Sequence, residues 1–472
     1  MLKKQFKSYT KSLFVIDINK KGMGVAKSPE GIVYFIKNTI PGDIVDVNPY
    51  KKRKGYIEAE PIKWVTRSSK RVNPRCDYFG VCGGCKWQNM KYEEQLVYKE
   101  KSVINDLKQI GKVEIQKKLP ILGAIDSYFY RNKMEYSFSK NRWLTKNEIE
   151  KKGSINKNAL GFHKPGRWDK VVDINFCYLQ AEPSNTIRNA IRDFALKNQL
   201  EFFDPREKKG FLRSIIIRNN LKGEVMVIFQ FFKENKVQRE LILDFLKVNF
   251  KEIKSLLYCI NSKENDSIYD QNIICFYGKN FITESIDKLE FKIYPKSFYQ
   301  TNPKQTKKLY GIIKDFAALK KDEIVYDLYS GIGTITLYLS NYCKKIIGIE
   351  SISEAVNAAK ENCLLNQINN AFFEEGEMID VFDESFFNKY GKAESIILDP
   401  PRGGVNKKIV KKLLILEPKK IVYVSCNSST QARDLELIKE KYELKISKAV
   451  DMFPQTHHVE NIVLLHLKSK NV

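Results

Sequence analysis

The last third of the sequence alternates short apolar runs with segments of helical periodicity, and this alternation constrains the fold more than any other feature. The runs lack a period of two, which is typical of strands buried on both faces of a parallel sheet. Amphipathic segments such as SEAVNAAKENCLL at 353–365 separate the runs. The pattern predicts a doubly wound, Rossmann-like α/β domain over residues 291–472, built on the runs IVYDLYSG, KIIGIE, SIILDPP, KIVYVSC and NIVLLHL.

The first of these runs ends in a glycine-rich turn at Gly331 and Gly333, followed by a predicted helix from Thr334. Doubly wound folds bind nucleoside cofactors at such a turn, although a purely structural tight turn has the same sequence. Thr336 stands where the dinucleotide-binding motif has its third glycine, so the turn need not hold a pyrophosphate. Glu350 ends the next strand about 20 residues on, where a carboxylate can accept hydrogen bonds from both ribose hydroxyls. These features favour S-adenosylmethionine as the cofactor.

Further polar side chains lie at predicted strand ends. Asp399 ends the strand of ILDPPRGG, whose two prolines stiffen the loop beside the cofactor. Cys426 follows the strand IVYVS at the same edge, where its thiol is suited to act as a nucleophile. Glu460 just precedes the final strand, which we expect at the edge of the sheet, and is a candidate base. The adjacent His457 and His458 point to opposite sides of an extended segment, so we give neither a catalytic role.

The chain has 9 cysteines, an odd number with uneven spacing, which argues against a disulfide framework. Three lie close together in RCDYFGVCGGCKWQ and a fourth lies far downstream in VVDINFCYLQ; these four are Cys76, Cys82, Cys85 and Cys177. Thiolates at this spacing bind zinc or an iron–sulfur cluster, and the spacing alone leaves both open. Gly83 and Gly84 leave room for a bulky centre, which favours iron–sulfur. Apart from these four and Cys426, we expect the remaining cysteines to be buried small hydrophobic residues, namely Cys259, Cys275, Cys343 and Cys363.

The sequence before residue 291 falls into two regions with different patterns. The first 68 residues read as short strands and turns of a small β-barrel, with Phe14, Ile16 and Ile18 alternating in one strand. The basic run at 51–54 then predicts a loop that binds phosphates. Residues 69–290 mix β-rich runs with polar connections, as in an α+β domain. Helical spacing over 93–119 predicts a helix whose packing partner the sequence does not decide; its apolar positions are Leu96, Val97, Val103 and Leu107.

Composition narrows the classes of function. The 472 residues include 81 Lys and Arg against 56 Asp and Glu, a formal net charge of +25 that favours a polyanionic partner such as nucleic acid. Hydrophobic residues make up 43% of the chain, enough for folded cores, which argues against a disordered protein. No apolar stretch approaches the roughly 18 residues of a membrane span, and the N-terminus lacks a signal-peptide pattern. We therefore expect a cytoplasmic protein with no membrane partner.

Taken together, these residues resemble the RNA uracil-5 methyltransferase family. The similarity is to the branch that has an N-terminal TRAM domain, an OB-like barrel, and a [4Fe-4S] cluster, and that methylates uridine in 23S ribosomal RNA. It runs through nearly the whole chain in the ordered motifs GMGVA, PGD, CDYFGVCGGCKWQ, RNKMEYSF, KSFYQTNP, DLYSGIGT, IGIE, LDPPRGG, VSCNSST and QTHHVE. The resemblance implies a multidomain chain: a TRAM β-barrel at 1–68, a central α+β iron–sulfur domain at 69–290 and a class I methyltransferase domain at 291–472. It also implies that the segment near 93–124 joins the catalytic domain.

The resemblance also implies roles for single residues. Cys426 would be the nucleophile and Glu460 the base, and Phe298 would lie against the target base or the cofactor. The family often has Phe and Cys where this chain has Tyr329 and Ser330, which leaves the tyrosine hydroxyl unexplained. The expected contacts to S-adenosylmethionine are Gln300, Tyr329, Glu350 and Asp399, and the expected cluster ligands are Cys76, Cys82, Cys85 and Cys177.

These observations predict an S-adenosylmethionine-dependent RNA (uracil-5-)-methyltransferase that acts on 23S ribosomal RNA as a monomer without an obligate protein partner. Transfer RNA is the alternative substrate. A cytosine-5 methyltransferase needs the same thiol addition but presents its cysteine in a different motif, and DPPR here has none. A non-catalytic RNA-binding or ribosome-assembly factor is the alternative from another class. A radical methylthiolation enzyme is disfavoured, because it requires three closely spaced cysteines and an open iron.

Overall fold

The computed structural model describes residues 10–150 and 155–469 and divides into two compact units. The first comprises the chain up to Ser102 together with Phe453–His458, and the second comprises Val103–Met452 and the chain from Val459. The first nine residues, in which we expect no signal peptide, lie outside the described residues. Within the described ranges, no helix combines the length and apolar composition needed to span a bilayer. The domain boundaries at 68 and 290 stay predictions.

A closed five-stranded barrel occupies the start of the first unit. Its strands follow the spatial order β1-β2-β3-β5-β4. Leu13 and Val15 of the first strand fill the barrel interior, whereas Phe14 and Ile16 are each 53% exposed. The barrel itself was predicted, but the predicted apolar face of its first strand was wrong. Apolar residues occupy both faces of this strand, and only closure of the barrel decides which face is buried. The strands are β1 (Thr10–Ile18), β2 (Gly24–Lys27), β3 (Val33–Ile36), β4 (Ile44–Arg53) and β5 (Tyr56–Thr66).

The basic run at 51–54 lies on a hairpin of this barrel. Its first three residues end β4 and pair with the start of β5, so only Lys54 and Gly55 form the turn. Gly55 has φ +90°, a left-handed conformation that glycine adopts without strain. All four basic side chains are exposed, so they are accessible although most belong to a strand and not to a loop.

The helix predicted near 93–119 is α1 (Tyr92–Gln109), and it is shorter than expected. Val103 and Leu107 are buried as predicted, but Val97 is 56% exposed and lies on the solvent side. The chain continues as strand β6 (Ile115–Leu122), which contains Pro120 and pairs in parallel with a strand of the C-terminal sheet. A helix through this segment is excluded because proline lacks the N–H that a helix interior requires.

The second unit contains a seven-stranded, largely antiparallel sheet and a short two-stranded sheet. The seven-stranded sheet has the order β13-β12-β11-β10-β7-β8-β9, and β10 and β11 at its centre are almost wholly buried. Phe194 and Phe245 on α3 and α4 stack with ring centroids 4.2 Å apart. The elements are β7 (Lys133–Ser139), α2 (Lys146–Glu150), β8 (Ala159–Lys164), β9 (Arg167–Asp173), α3 (Ser184–Lys197), β10 (Leu212–Asn219), β11 (Val225–Phe231), α4 (Lys236–Asn249), β12 (Ile253–Ile260), β13 (Ile274–Gly278), β14 (Ile282–Ile286) and β15 (Leu289–Ile293).

An eight-stranded sheet flanked by helices completes this unit, as the alternating sequence predicts. Its order is β18-β17-β16-β19-β20-β22-β21-β6. The elements are α5 (Pro303–Ala317), β16 (Ile324–Leu328), α6 (Thr334–Ser340), β17 (Lys345–Glu350), α7 (Ser353–Leu365), β18 (Ala371–Glu375), α8 (Met378–Val381), α9 (Glu384–Tyr390), β19 (Ser395–Leu398), α10 (Lys407–Leu416), β20 (Lys420–Ser425), α11 (Ser428–Ile438), β21 (Tyr442–Val450) and β22 (Glu460–Leu467).

Two features of this sheet differ from the sequence predictions. Strand β22 runs antiparallel to both β20 and β21, so the sheet is mixed and not wholly parallel. It also lies inside the sheet and not at its edge, because β21 and the early strand β6 extend the sheet beyond it. Apolar runs indicate that a strand is buried on both faces, but they carry no information about its direction or its neighbours.

Candidate active site

Cys426 and Glu460 meet at the ends of two neighbouring antiparallel strands. Ser425 at the end of β20 pairs with Asn461 in β22. The next position outward along each strand places Cys426 opposite Glu460, where the Cβ atoms of facing residues lie about 5 Å apart. Glu460 is 4% exposed and Cys426 is half-buried. A thiol and a carboxyl group thus face one another at the ligand-binding edge of the sheet.

The surroundings of Cys426 keep its thiol neutral in the protein without substrate. Burial, together with the charges of Glu460 and Asp399, raises the pKa of Cys426 to about 11. The guanidinium of Arg402 opposes this, because it lies close enough to hydrogen-bond the sulfur and lowers the pKa. Of these groups, Arg402 alone favours the thiolate.

Arg402 is a candidate site residue that the sequence analysis missed. Its backbone carbonyl accepts hydrogen bonds from Asn427 Nδ2 at 3.1 Å and Thr430 Oγ1 at 3.2 Å, which ties the loop after β19 to the first turn of α11. Because Cys426 directly precedes that turn, these bonds hold the loop beside the thiol. In DPPR a cation follows Asp399 by three residues in the same loop, but the sequence does not show that this loop brings it to the sulfur.

Burial also favours the neutral forms of the carboxyl groups here. Burial and the charge of Asp399, opposed by Arg402, raise the pKa of Glu460 to about 8. Burial likewise raises the pKa of the half-buried Asp399 to about 7. Both groups therefore titrate near neutral pH, the range in which a carboxyl group can either accept or donate a proton during a reaction.

The glycine-rich turn after β16 is held by the end of β17. Gly331 and Gly333 have φ +55° and +80°, and the Gly331 N–H donates to Glu350 Oε2 at 3.0 Å. The other oxygen of Glu350 accepts from the N–H groups of Ser351 and Ile352 at 2.8 and 3.0 Å. A Cβ at position 333 would lie 2.7 Å from the Phe373 ring, so steric contact as well as the backbone angle requires glycine there.

Thr336, at the place of the missing third glycine, has a structural partner beneath the turn. Its hydroxyl donates to Asp327 Oδ2 at 2.5 Å, and burial raises the pKa of Asp327 to about 7. The other carboxyl oxygen of Asp327 is buried without a hydrogen-bond partner among the described residues. The hydroxyl of Ser330 in the same turn is also buried without one. Unpartnered buried polar atoms of this kind suit a polar ligand that is held by the turn.

A cavity of about 680 Å³ opens at the turn, a volume suited to a cofactor of nucleoside size. Gly331, Glu350 and Phe298 line it, and Phe298 is 65% exposed. The apolar side chains of its walls suit an adenine ring, and Glu350 suits ribose hydroxyls, so the residues fit S-adenosylmethionine. Gln300 and Asp399 are not part of this wall. Gln300 is buried, and its carbonyl accepts from Asn132 Nδ2 at 3.1 Å.

Tyr329 contributes its backbone to the turn and its side chain to the core. It has φ +71°, and its N–H donates to the Ile349 carbonyl at 3.1 Å. The ring packs partly buried against the core of the eight-stranded sheet, outside the wall of the cavity. Burial raises the pKa of the phenol to about 12, and the backbone N–H of Asn406 donates to its oxygen. The hydroxyl that the sequence left unexplained thus has a partner at the start of α10.

The four predicted cluster ligands are divided between the two units. Cys76, Cys82 and Cys85 are half-buried in the irregular segment before α1, where the Gly84 N–H donates to Cys82 Sγ at 3.4 Å. Cys177 is 8% exposed in the second unit. Within residues 10–150 and 155–469, no group of three or more His, Cys, Asp and Glu side chains is arranged to hold a metal ion. The thiol donors suit iron–sulfur chemistry, but their arrangement leaves the cluster a prediction.

Two smaller predictions about side chains are wrong. Cys275 is exposed on the edge strand β13, whereas Cys259, Cys343 and Cys363 are buried as expected. The rings of His457 and His458 do not point to opposite sides of the chain, because their centroids are only 4.1 Å apart. The segment that carries them is irregular and not an extended strand, so the alternation of side chains does not apply.

The Rossmann-like sheet, its glycine-rich turn and the carboxylate of Glu350 define an S-adenosylmethionine-dependent methyltransferase. Residues 269–468 match the family model for tRNA (uracil-5-)-methyltransferase. A protein of Bacteroides thetaiotaomicron, called an uncharacterized RNA methyltransferase, is 46% identical over 452 residues, which cover 95% of this chain and 99% of that protein. The chain belongs to the RNA uracil-5 methyltransferase family.

Two further similarities extend along almost the whole chain. A Porphyromonas gingivalis protein, also called an uncharacterized RNA methyltransferase, is 41% identical and covers 96% of this chain and 98% of its own. The crystal structure of Pyrococcus abyssi tRNA (uracil-54, C5)-methyltransferase in complex with S-adenosyl-L-homocysteine aligns with a TM-score of 0.75 at 28% identity. That alignment covers 97% of this chain and all of the other. The protein is therefore an S-adenosylmethionine-dependent RNA methyltransferase.

Proposed function

We propose that the protein methylates carbon 5 of uridine in 23S ribosomal RNA and produces 5-methyluridine. The observation that carries the reaction is the pairing of β20 with β22, which sets Cys426 against Glu460 at the ligand-binding edge. Transfer RNA is the second candidate substrate, favoured by the name of the matching family model and by the Pyrococcus abyssi enzyme. Ribosomal RNA is supported by the sequence resemblance to the branch with a barrel and a cysteine-rich loop.

Cys426 starts the proposed reaction. Carbon 5 of uracil is a weak nucleophile, so a thiolate must first add to carbon 6 and move the ring electrons toward the carbonyl at carbon 4. The thiol loses its proton to solvent as Arg402 stabilises the sulfur anion. The enolate that results makes carbon 5 nucleophilic. S-adenosylmethionine, when bound, supplies an electrophilic methyl group on a sulfonium.

Glu460 completes the reaction. After methylation carbon 5 carries both a methyl group and a proton, and the Glu460 carboxylate accepts the proton. The double bond between carbons 5 and 6 then re-forms, and the electrons of the carbon–sulfur bond return to Cys426. The pKa of about 8 suits this step, because a base that titrates near the working pH is both ionised in part and strong enough. The target uridine must leave its stack to reach these groups.

We also propose which residues bind the cofactor and the cluster. Glu350 holds the ribose at the glycine-rich turn, and the other expected contacts to S-adenosylmethionine are Gln300, Tyr329 and Asp399. A [4Fe-4S] cluster bound by Cys76, Cys82, Cys85 and Cys177 has a structural role, since no step of the reaction needs an electron. Anaerobic purification followed by iron, zinc and acid-labile sulfide analysis tests the cluster. Stoichiometric zinc without iron would refute it.

The test of the reaction uses RNA that carries 5-fluorouridine at the target, together with S-adenosylmethionine. Fluorine at carbon 5 cannot leave as a proton, so the adduct to Cys426 should persist on a denaturing gel and be located by peptide mass. Cys426→Ala should form no adduct. Cys275→Ala, which removes an exposed cysteine on the edge strand β13, is the matched control and should behave as the unmodified protein. Turnover of normal RNA without any adduct would refute the mechanism.

The substrate is tested separately. Nucleoside analysis and mapping of 5-methyluridine should compare ribosomal and transfer RNA from cells with and without the protein. Loss confined to 23S ribosomal RNA is expected, and loss confined to transfer RNA would establish the second candidate. 5-Methylcytidine in place of 5-methyluridine would overturn both. We propose further that the enzyme works in the cytoplasm and that it is a monomer. Light scattering of the purified protein tests the monomeric state.

A further inference from the structure

A second large cavity lies at one end of the seven-stranded sheet. Its volume is about 970 Å³, and Ser137 and Ser139 of β7 contribute to its wall. Asn132, just before β7, donates to the carbonyl of Gln300 at 3.1 Å at the opposite end of the strand. At about 3.3 Å per residue, the cavity is roughly 17–23 Å from the segment that carries Gln300. The two cavities share no wall residue.

One wall of this cavity is a tight hairpin that carries an exposed indole. Lys164 at the end of β8 pairs with Arg167 at the start of β9 across a two-residue turn, in which Gly166 has φ +75°. Trp168 follows on β9 and is 67% exposed, an unusual position for the largest apolar side chain. The Lys164 ammonium lies over the Trp143 ring at 5.2 Å. The hairpin thus presents an aromatic face between basic groups.

The opposite wall is rigid. Arg213 is 2% exposed, and its guanidinium donates to Asp266 Oδ1 at 2.8 Å and to the Asn261 carbonyl at 2.5 Å. The same group lies against the rings of Phe203 and Phe232, with its carbon 5.1 and 5.9 Å from their centroids. These contacts hold this wall in place, so the cavity is already formed before a ligand enters.

The cavity has an excess of positive charge. Five Lys and Arg side chains line it against two carboxylates: Lys164, Arg167, Lys208, Arg213 and Lys263 against Glu264 and Asp266. Lys208 pairs with Glu264 at 2.5 Å, and Lys263 pairs with Asp270 outside the wall. Arg167 shares the single carboxylate of Asp169 with Arg206, so positive charge remains on the hairpin. Cations beside an exposed aromatic ring are the combination that binds single-stranded nucleic acid, by phosphate contacts and base stacking.

We propose that this cavity, called the groove below, binds a single-stranded segment of the substrate RNA outside the target site. One base would stack on Trp168, and the neighbouring phosphates would contact Lys164 and Arg167. The inference rests on the proposed function in so far as the substrate is RNA. A single strand fits better than a duplex, because the bases of a duplex are stacked on one another and are not available to the indole. The enzyme would then hold its substrate at two points, which increases affinity without changing the chemistry.

The first experiment measures binding of a fluorescein-labelled oligouridylate by anisotropy. Trp168→Ala should bind the oligouridylate about tenfold more weakly, because one base loses its stacking partner. Trp168→Phe keeps an aromatic ring and should recover most of this affinity. Tyr277→Ala, an exposed aromatic on edge strand β13 of the same sheet, is the matched control and should bind normally. A duplex RNA of equal length should be insensitive to Trp168→Ala. Unchanged oligouridylate binding by Trp168→Ala would overturn the inference.

The second experiment measures the salt dependence of that binding. Each phosphate contact to a single strand contributes about 0.7 to the slope of log K against log salt, so Lys164→Gln with Arg167→Gln should lower the slope by about 1.4. Lys236→Gln with Lys247→Gln, two exposed lysines on α4, is the control with the same charge change. Equal slopes for both pairs would contradict phosphate binding at the hairpin.

The two proposals fail in different ways. If the groove does not bind single-stranded RNA, Trp168→Ala binds oligouridylate as the unmodified protein does, while methyl transfer to RNA continues. If the proposed function is wrong, no RNA is methylated, but the difference between Trp168→Ala and Tyr277→Ala persists. If the groove instead binds a protein, the oligouridylate data are unchanged in every variant, which overturns the inference as stated.

Discussion

At the scale of single residues, opposing effects act on one thiol. Burial and the neighbouring carboxyl groups raise the pKa of Cys426 to about 11, and Arg402 lowers it. Little of the thiol is therefore ionised at neutral pH in the protein without substrate, which limits side reactions of the thiolate. The sequence indicated Cys426 and Glu460 by their positions beside strands. It did not indicate Arg402, because its guanidinium reaches the sulfur only through the fold of the loop.

Glu460→Gln should separate addition from release. The amide has nearly the same shape but cannot accept the proton from carbon 5, so the methylated adduct should accumulate on Cys426 while product release slows by about 10²–10⁴-fold. A denaturing gel of enzyme and labelled RNA measures the adduct. Normal turnover by Glu460→Gln would show that another group is the base.

Arg402→Gln should make the thiol harder to ionise. Loss of the charge and of the hydrogen bond should shift the pH dependence of Cys426 alkylation by iodoacetamide to higher pH and lower kcat/KM at least tenfold. Arg402→Lys retains the charge and should fall between the two. If alkylation follows the same pH curve in all three proteins, Arg402 does not act on the sulfur.

At the scale of elements, the turn after β16 and the pairing of β20 with β22 build the site. The turn was predictable, because its glycines and Glu350 lie within 20 residues of one another at the ends of adjacent runs. The position of β22 was not, because antiparallel insertion between β20 and β21 depends on partners far apart in the chain. That insertion is what brings Glu460 opposite Cys426.

The two glycines of the turn should differ in their tolerance of a side chain. Gly331→Ala meets no heavy atom within 4 Å and has only the unfavourable angle, so it should cost about 1 kcal/mol of unfolding free energy. Gly333→Ala also collides with Phe373 at 2.7 Å and should cost about 2–4 kcal/mol. Thermal denaturation measures the stabilities, and calorimetry with S-adenosylmethionine measures binding. Equal losses would contradict the steric argument.

At the scale of the whole molecule, several buried carboxyl groups have raised pKa values. Burial raises the pKa of Asp327, Asp399 and Glu284 to about 7 and that of Glu460 to about 8. In the unfolded chain these groups titrate near pH 4. Between those values the folded protein binds more protons than the unfolded chain, so the stabilisation they provide is complete below about pH 4 and is lost as the pH rises through 7 to 8.

The free energy of unfolding should therefore fall between about pH 5 and pH 8 in the protein without ligands. We expect the midpoint of thermal unfolding to drop by at least about 4 °C over this range, since 1 kcal/mol corresponds to roughly 1–4 °C in a chain of this size. Asp327→Asn, which keeps an acceptor for Thr336, should flatten the profile. A midpoint that rises steadily over the same range would contradict these pKa shifts.

The sequence alone determined the local features: a small β-barrel, the alternating strands and helices, the glycine-rich turn and the candidate site residues at strand ends. These follow from periodicity and turn residues within short windows. Only the tertiary structure decided the buried face of β1, the entry of β6 into the C-terminal sheet, the direction of β22 and the contact of Arg402 with Cys426. Each of these depends on which distant segments pair, because burial and backbone hydrogen bonds are satisfied between segments and not within them.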